Sequence, residues 1–262
     1  MTYEHILLDV SEGVATLTIN RPQVLNAMCQ QTLAEMLDAL AAISKGWKVR
    51  ALLLTGAGRA FSSGADLQAM DGEGDDPPDR GLGLEKGFNP VLEALNALPF
   101  PVITAVNGGA AGGGCGFALA GDIVIAARSA YFLQPFANIG LVPDVGATWL
   151  LPRLAGRARA MGMMMLAERI PAQTALEWGL IWQVVEDYEL MDTARALARH
   201  LATGPTKSYA LMRQAVAKAA TMTFREALAA ERIDQRTAGQ TADHAEGVTA
   251  FLEKRTPRFS GQ

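Results

Sequence analysis

Residues 107–116 read Asn-Gly-Gly-Ala-Ala-Gly-Gly-Gly-Cys-Gly, six glycines in ten positions, directly after the apolar run Val102–Val106. Glycine loses more backbone freedom on folding than any other residue, so this density is kept only where another backbone or a ligand must approach closely. Packing of a helix on a sheet explains one or two of these glycines, but not six. The run follows a strand pattern and opens the apolar segment Phe117-Ala-Leu119. The prediction is a strand–turn–helix whose bare N–H groups suit a developing negative charge. Residues 102–127 are also the one stretch long and apolar enough to suggest a membrane span. Seven glycines, Asn107 and Asp122 within it favour a buried strand–turn–helix–strand instead.

Around this cluster, strand-like and helix-like segments alternate. Residues 5–10 and 14–19 are short apolar runs separated by Ser11-Glu12-Gly13, a hairpin signature. Leu33, Met36, Leu37, Leu40 and Ile43 recur at helical spacing. Residues 51–56 (ALLLTG) form a continuous apolar run, as in a strand buried on both faces. An amphipathic helix is predicted over 84–98, and further strands over 102–106 and 123–127. Such alternation predicts an α/β fold with parallel strands and crossover helices. Beyond residue 145 helices dominate: one over 190–202, one from Pro205 to Lys218, and one carrying Phe224, Leu228 and Ile233. Residues 71–83, with five acids, four glycines and two prolines, read as a surface loop placed where a lid over a ligand could lie. No internal repeat is visible in the residues.

Composition narrows the function classes. Half of the 262 residues are apolar and 19% are charged, a globular balance with material for one large domain or two small ones. The net charge of −4, without a basic run, argues against nucleic acid as a partner. Two cysteines (Cys29, Cys115) and three histidines (His5, His200, His244) offer neither a disulfide framework nor a multi-histidine metal centre. The opening MTYEHILLDV lacks the basic-then-apolar pattern of a secretory leader, so a cytoplasmic protein without membrane association is expected.

Two further segments are candidates for chemistry. Gly58-Arg-Ala-Phe-Ser-Ser-Gly-Ala-Asp-Leu67 follows the strand ending at Thr55. Its small residues free backbone N–H groups for a ligand, or else form a tight turn in which Asp66 caps the next helix. In Gln134–Thr148, Pro143-Asp144 precedes Gly146. Asp144 is either a helix N-cap or a carboxylate among Ile139, Leu141, Val142 and Val145, where burial would raise its pKa to a range useful for moving protons. Nucleotide-binding fingerprints are absent: no G-x-G-x-x-G lies between 108 and 121, and no G-x-x-x-x-G-K-[ST] occurs anywhere. Leu54-Thr-Gly-Ala-Gly58 resembles the start of a short-chain dehydrogenase, but the next glycine and a Tyr-x-x-x-Lys are missing.

Taken together, the three segments resemble the crotonase (enoyl-CoA hydratase/isomerase) superfamily, from the Asn20-Arg21-Pro22…Asn26-Ala27 turn to Phe251-Leu-Glu-Lys-Arg255. The resemblance implies a crotonase-like spiral of ββα units over 1–195 and a helical C-terminal trimerisation region over 196–262. It implies homotrimers or dimers of trimers, and an acyl-CoA substrate with no separate cofactor. By motif, the oxyanion-hole amides fall on Ala65, after Gly64, and on Gly113, after Gly112. Contacts to CoA fall on Leu25, Ala27, Asp66 and Leu67, with Lys254 toward a phosphate. Phe136 and Trp149 are candidates for lining the acyl pocket.

The departures from the family pattern matter as much. The hydratases carry two glutamates, and the matching positions here are Gly116 and Phe136. Water addition needs one group to activate water and another to manage the α-proton, so hydration is not expected. Asp144 stands where the hydratases have glycine, which resembles the isomerases of bacterial phenylacetate breakdown. Those enzymes convert ring-1,2-epoxyphenylacetyl-CoA to oxepin-CoA and can shift a double bond in enoyl-CoA. Agreement is greatest over Gly121–Arg128, Ile139–Asp144, Thr148–Met161 and Trp178–Val185, and weakest over 68–88. The alternatives are a hydratase-like enzyme of other acyl-CoA specificity and a noncatalytic acyl-CoA-binding protein. A serine hydrolase using Ser62 or Ser63 lacks a suitably placed histidine, and a dehalogenase lacks the histidine and tryptophan of that chemistry.

Overall fold

The computed structural model describes residues 2–45, 48–67 and 79–262. Strands β1 (Ile6–Ser11) and β2 (Val14–Ile19) form the expected hairpin, with Ser11 opposite Val14. Glu12 and Gly13, both at positive φ, make its two-residue turn. Helix α1 (Gln30–Ser44) buries Leu33, Met36, Leu40 and Ile43 against the sheet. Leu37, assigned to the same face by its spacing, is partly exposed. β3 (Ala51–Gly56) is buried at all six residues, which is why its sequence shows no alternation. β4 (Ala60–Ser62) then leaves for a second sheet.

Most of the acidic 71–83 stretch lies outside the described residues. Its end is helical rather than loop, because the Asp79 carboxylate accepts from Gly81 and Leu82 N–H and starts α2 (Arg80–Gly83). A π-helical turn, Leu84–Phe88, leads into α3 (Asn89–Ala97), where the spacing predicts a single helix. The next passages are β5 (Val102–Val106), β6 (Gly109–Ala111) and α4 (Gly113–Leu119), then β7 (Ile123–Ala127) and β8 (Tyr131–Leu133). α5 (Ala147–Ala155), α6 (Arg157–Leu166), β9 (Ile170–Pro171), α7 (Ala172–Glu177) and β10 (Gln183–Val185) complete the core.

The six-stranded sheet has the order β1-β2-β3-β5-β7-β10 and is parallel except at the hairpin; the four-stranded sheet has the order β4-β6-β8-β9. Each passage through β3–β4, β5–β6 and β7–β8 places one strand in each sheet, and a helical segment follows. This is the expected spiral of ββα units. The repeat is one of backbone rather than residues, so the sequence carries no internal repeat. The packed interior includes Phe61, Phe88, Phe100, Phe117 and Phe132.

α8 (Leu190–Ala202) lies on β3, β5 and β7 through Leu190, Ala194, Ala198 and Ala202. The division expected at 195/196 therefore falls inside a helix that covers the first sheet. α9 (Thr206–Ala219), α10 (Phe224–Gly239) and α11 (Ala242–Leu252) follow, α10 opening on a capping box between Thr223 and Glu226. No helix among the described residues is long and apolar enough to cross a membrane.

Candidate active site

Two short backbone segments meet where β4 and β6 end. Met28 pairs in parallel fashion with Ala65: its N–H donates to Gly64 O (2.8 Å) and its carbonyl accepts from Asp66 N (3.0 Å). In such a ladder the central residue turns its own N–H to the opposite edge. No group among the described residues accepts from Ala65 N–H. On the other segment, Gly112 adopts φ 52° and ψ −128°, and Gly113 is the first residue of α4. Gly112 N–H donates to Leu133 O, while Cys115 and Gly116 N–H turn back to Gly112 O. The Gly113 N–H has no acceptor among the described residues, as the geometry of a helix start dictates. The segments are in contact: a Cβ built on Gly64, at φ 93°, would stand 3.1 Å from Gly113 N and 2.8 Å from Ala111 O. Two unpaired amides thus share one small region.

Asp144 approaches the same region from the loop before α5. It is not an N-cap: Gly146 holds that position, and only the Asp144 backbone carbonyl is used, by Ala147 N at 2.9 Å. Its Oδ1 is enclosed and has no hydrogen-bond partner among the described residues. Burial pushes its pKa from 3.8 to about 6, against a smaller opposing pull from its own backbone N–H. The next residue, Val145, is buried at φ 47°, a region that disfavours β-branched side chains. Strain of about 1–3 kcal/mol is typical of such a residue and is tolerated where the surroundings fix it. Here Val145 Cγ2 lies 3.0 Å from a Cβ built on Gly113, so the Asp144 segment rests directly on the helix start. The apolar shell expected from Ile139, Leu141 and Val142 does not form. These three are exposed, and Val145 alone of the four is buried.

Of the two positions where the resemblance places glutamates in the hydratases, one has a steric explanation. A Cβ at Gly116 would overlap the Val145 carbonyl oxygen and stand 2.9 Å from Val145 Cβ. The strained Asp144–Val145 segment therefore occupies the space a side chain at 116 would need. Phe136 is buried on the short 3-10 helix Pro135–Ile139, with its ring 3.6 Å from a Cβ built on Gly112. An apolar ring stands there in place of a carboxylate.

Other candidate residues divide between structural duties and the surface. Leu25 is half-buried at φ 54° and its carbonyl accepts Ser63 N–H at 2.9 Å. Ala27 is buried and its carbonyl accepts from Arg21 Nη1 at 2.6 Å. Asp66 forms an ion pair with Arg21 at 2.8 Å, so its carboxylate ties the Asn-Arg-Pro turn to the β4 loop. The helix it was expected to cap lies beyond the described residues. Leu67 is exposed, and Lys254 is exposed just past α11. Trp149 is 45% exposed beneath the Arg153 guanidinium, 4.1 Å from the ring centre, and so belongs at most to a rim.

Two polar residues named in the sequence hold the site's backbone in a way their sequence reading did not assign. Buried Asn26, at φ 56°, accepts from Arg21 N through Oδ1 and donates through Nδ2 to Ala57 O and Ala60 O. Ser62 joins the Asn26 main chain to Gly64. Their signal was a polar side chain within otherwise apolar segments. A groove of about 590 Å3 lies elsewhere, between α9, α10 and α11, where Met212, Val248, Phe251 and Leu252 line it. No cluster among the described residues is arranged to hold a metal ion.

Comparison with known proteins identifies relatives along the whole chain. Residues 9–262 match the family model described as Enoyl-CoA hydratase/isomerase. The chain is 52% identical over 260 residues to the 1,2-epoxyphenylacetyl-CoA isomerase of Escherichia coli K12, covering 99% of both chains. It is 46% identical to a probable enoyl-CoA hydratase of Rhodobacter capsulatus, over the full length of both. Among solved structures, a putative enoyl-CoA hydratase/isomerase from Mycobacterium abscessus superposes with a TM-score of 0.94 at 37% identity, covering 98% of this chain and 100% of that one. With a matched family model, full-length relatives and a shared fold, the chain belongs to the enoyl-CoA hydratase/isomerase family.

Proposed function

We propose that the chain is an acyl-CoA isomerase, converting ring-1,2-epoxyphenylacetyl-CoA to oxepin-CoA, shifting a double bond in enoyl-CoA, or both, in phenylacetate breakdown. The observation that carries this reading is the lone Asp144 carboxyl, raised to about 6 by burial and joined through Val145 to the Gly113 helix start. Similarity to the Escherichia coli isomerase supports the substrate class.

The thioester oxygen sits between Ala65 N–H and Gly113 N–H, which need no reorganisation because neither has another acceptor among the described residues. Ionised Asp144 takes a proton from the acyl chain, and the bonding pair moves into the conjugated thioester as a dienolate held by the two amides. The same carboxyl returns the proton at a different carbon; with the epoxide, the carbon–carbon bond shared by the oxirane and the six-membered ring also breaks, its electron pair joining the two ring double bonds to make the three of the oxepin, so in either case nothing is gained or lost. One carboxyl suffices for this sequence, whereas water addition requires the second group that Gly116 and Phe136 do not supply. Phe136 and Gly112 border the acyl group. Leu25, Ala27, Gly64, Asp66 and Leu67 border the CoA arm, and Lys254 serves a CoA phosphate.

Purified protein offered epoxyphenylacetyl-CoA and a panel of enoyl-CoAs should give products of unchanged mass with altered ultraviolet spectra. Products heavier by one water would favour the hydratase reading, and binding without turnover on every substrate would favour a noncatalytic acyl-CoA-binding protein.

The same reading includes a homotrimer or dimer of trimers built through α9–α11. Exposed Val216, Phe224, Ile233 and Phe251 on these helices support it, since apolar side chains of this size gain from burial against a partner. Sedimentation equilibrium should give three or six times the chain mass, and a monomer at micromolar concentration would count against this part.

A further inference from the structure

We propose that Ser62 is a positioning residue that holds the Ala65 amide in register with the Gly113 amide. The inference rests on the reading of those two amides as oxyanion donors. Ser62 is fully buried at the end of β4, and its hydroxyl is committed in both directions. Oγ donates to the Asn26 main-chain oxygen at 2.8 Å and accepts from Gly64 N–H at 3.1 Å. Asn26 is itself anchored by its side chain to Arg21, Ala57 and Ala60. The hydroxyl thus passes the fixed position of that turn to the Ser63–Gly64 peptide, the one before the peptide that carries the Ala65 amide.

Ser62 also lies against Gly114, the residue after the second donor. A Cβ built on Gly114 would overlap the Ser62 carbonyl oxygen and stand 2.8 Å from Ser62 Cβ. One buried residue therefore braces Gly64 by a hydrogen bond and the Gly113-Gly114 helix start by direct packing. Gly64 is at positive φ and has no side chain to limit its rotation; Met28 N–H holds the carbonyl of the peptide that carries the Ala65 amide, and the Ser62 bond fixes the peptide before it, so the two bonds together set that amide's orientation. Catalysis through amide donors depends on their alignment before the charge develops, which makes this restraint a rate device rather than a substrate contact.

The test uses the full-length protein with cinnamoyl-CoA, a conjugated thioester with no hydrogen to shift. Hydrogen bonding to its carbonyl displaces the ultraviolet band to longer wavelength. The wild type should show that displacement, and Ser62→Ala should lose most of it while binding the probe within about twofold of the wild-type Kd. In turnover, Ser62→Ala should lose about tenfold in kcat with KM little changed. Ser62→Cys, which keeps a weak donor and acceptor, should fall between the two in both measurements. Thr55→Val removes another buried hydroxyl, one that donates to Ala105 O, and should lower stability without moving the band. A full wild-type displacement in folded Ser62→Ala overturns the assignment. Should that variant not fold, wild-type displacement and turnover in Ser62→Cys overturn it equally. A wild type that binds the probe with no displacement removes the oxyanion reading itself, and this role with it.

Discussion

Asp144→Asn is expected to fold, to bind acyl-CoA with an affinity close to wild type, and to lose about three powers of ten in turnover. The substitution keeps shape and volume and removes only the ability to take a proton. Folding should survive because Oδ1 has no hydrogen-bond partner among the described residues, the carboxyl caps no helix, and its own backbone N–H can be met equally by the amide oxygen of asparagine. Binding should survive because the thioester oxygen is held by main-chain amides. A variant with wild-type turnover would end the proposal that this carboxyl moves the proton.

The same carboxyl fixes two pH dependences of opposite sense. As a base it must be ionised, so kcat/KM should rise with pH, level off above about 6, and lose this dependence in Asp144→Asn. For stability, the native carboxyl holds its proton up to about 6 while the unfolded one releases it near 3.8. Between those values the native state binds more protons than the unfolded state, so stability falls as pH rises through the window. Allowing for the solvent that still reaches the group, the loss is on the order of 1–2 kcal/mol. Denaturant titrations of wild type and Asp144→Asn should therefore agree most closely below pH 4 and diverge above pH 6, the wild type losing ground. Parallel curves across that range would mean that the native pKa is not raised.

The parts of this fold legible in the residues are those held by many like contacts. β3, β5 and β7 are apolar on both faces, save for Thr55 and Thr104, because both faces are covered, and α8 carries its small apolar residues at a helical spacing. The second sheet is another matter: β4, β6 and β8 are three residues each and β9 is two, too short for any period to register. Yet those strands deliver the candidate site. The glycine cluster announced close approach without saying to what. That Val145 fills the space over Gly116, or that Ser62 backs Gly114, depends on pairs far apart in the chain with no pattern linking them. Asp144 illustrates the limit. Proline before it and glycine after it suit a cap equally well, and only the position of Gly146 at the helix start decides against that role.

Gly64→Ala is expected to lose about two to three powers of ten in kcat, the loss typical of removing one oxyanion donor, and to lower the melting temperature as well. Two independent obstacles meet at this position. Its φ of 93° lies where a side chain is strained, and the added methyl would stand 2.8 Å from Ala111 O and 3.1 Å from Gly113 N. The neighbours on both sides are backbone rather than flexible side-chain ends, so relief comes only by moving β6 and the start of α4 away from the β4 loop. That movement separates the two amides proposed to share one oxygen. The loss should therefore exceed that of a substitution that destabilises equally elsewhere, for example Thr55→Val on β3, and it should appear in kcat more than in KM. An alanine variant with wild-type kcat would mean that the spacing of these two segments has no part in the chemistry, whatever happens to its stability.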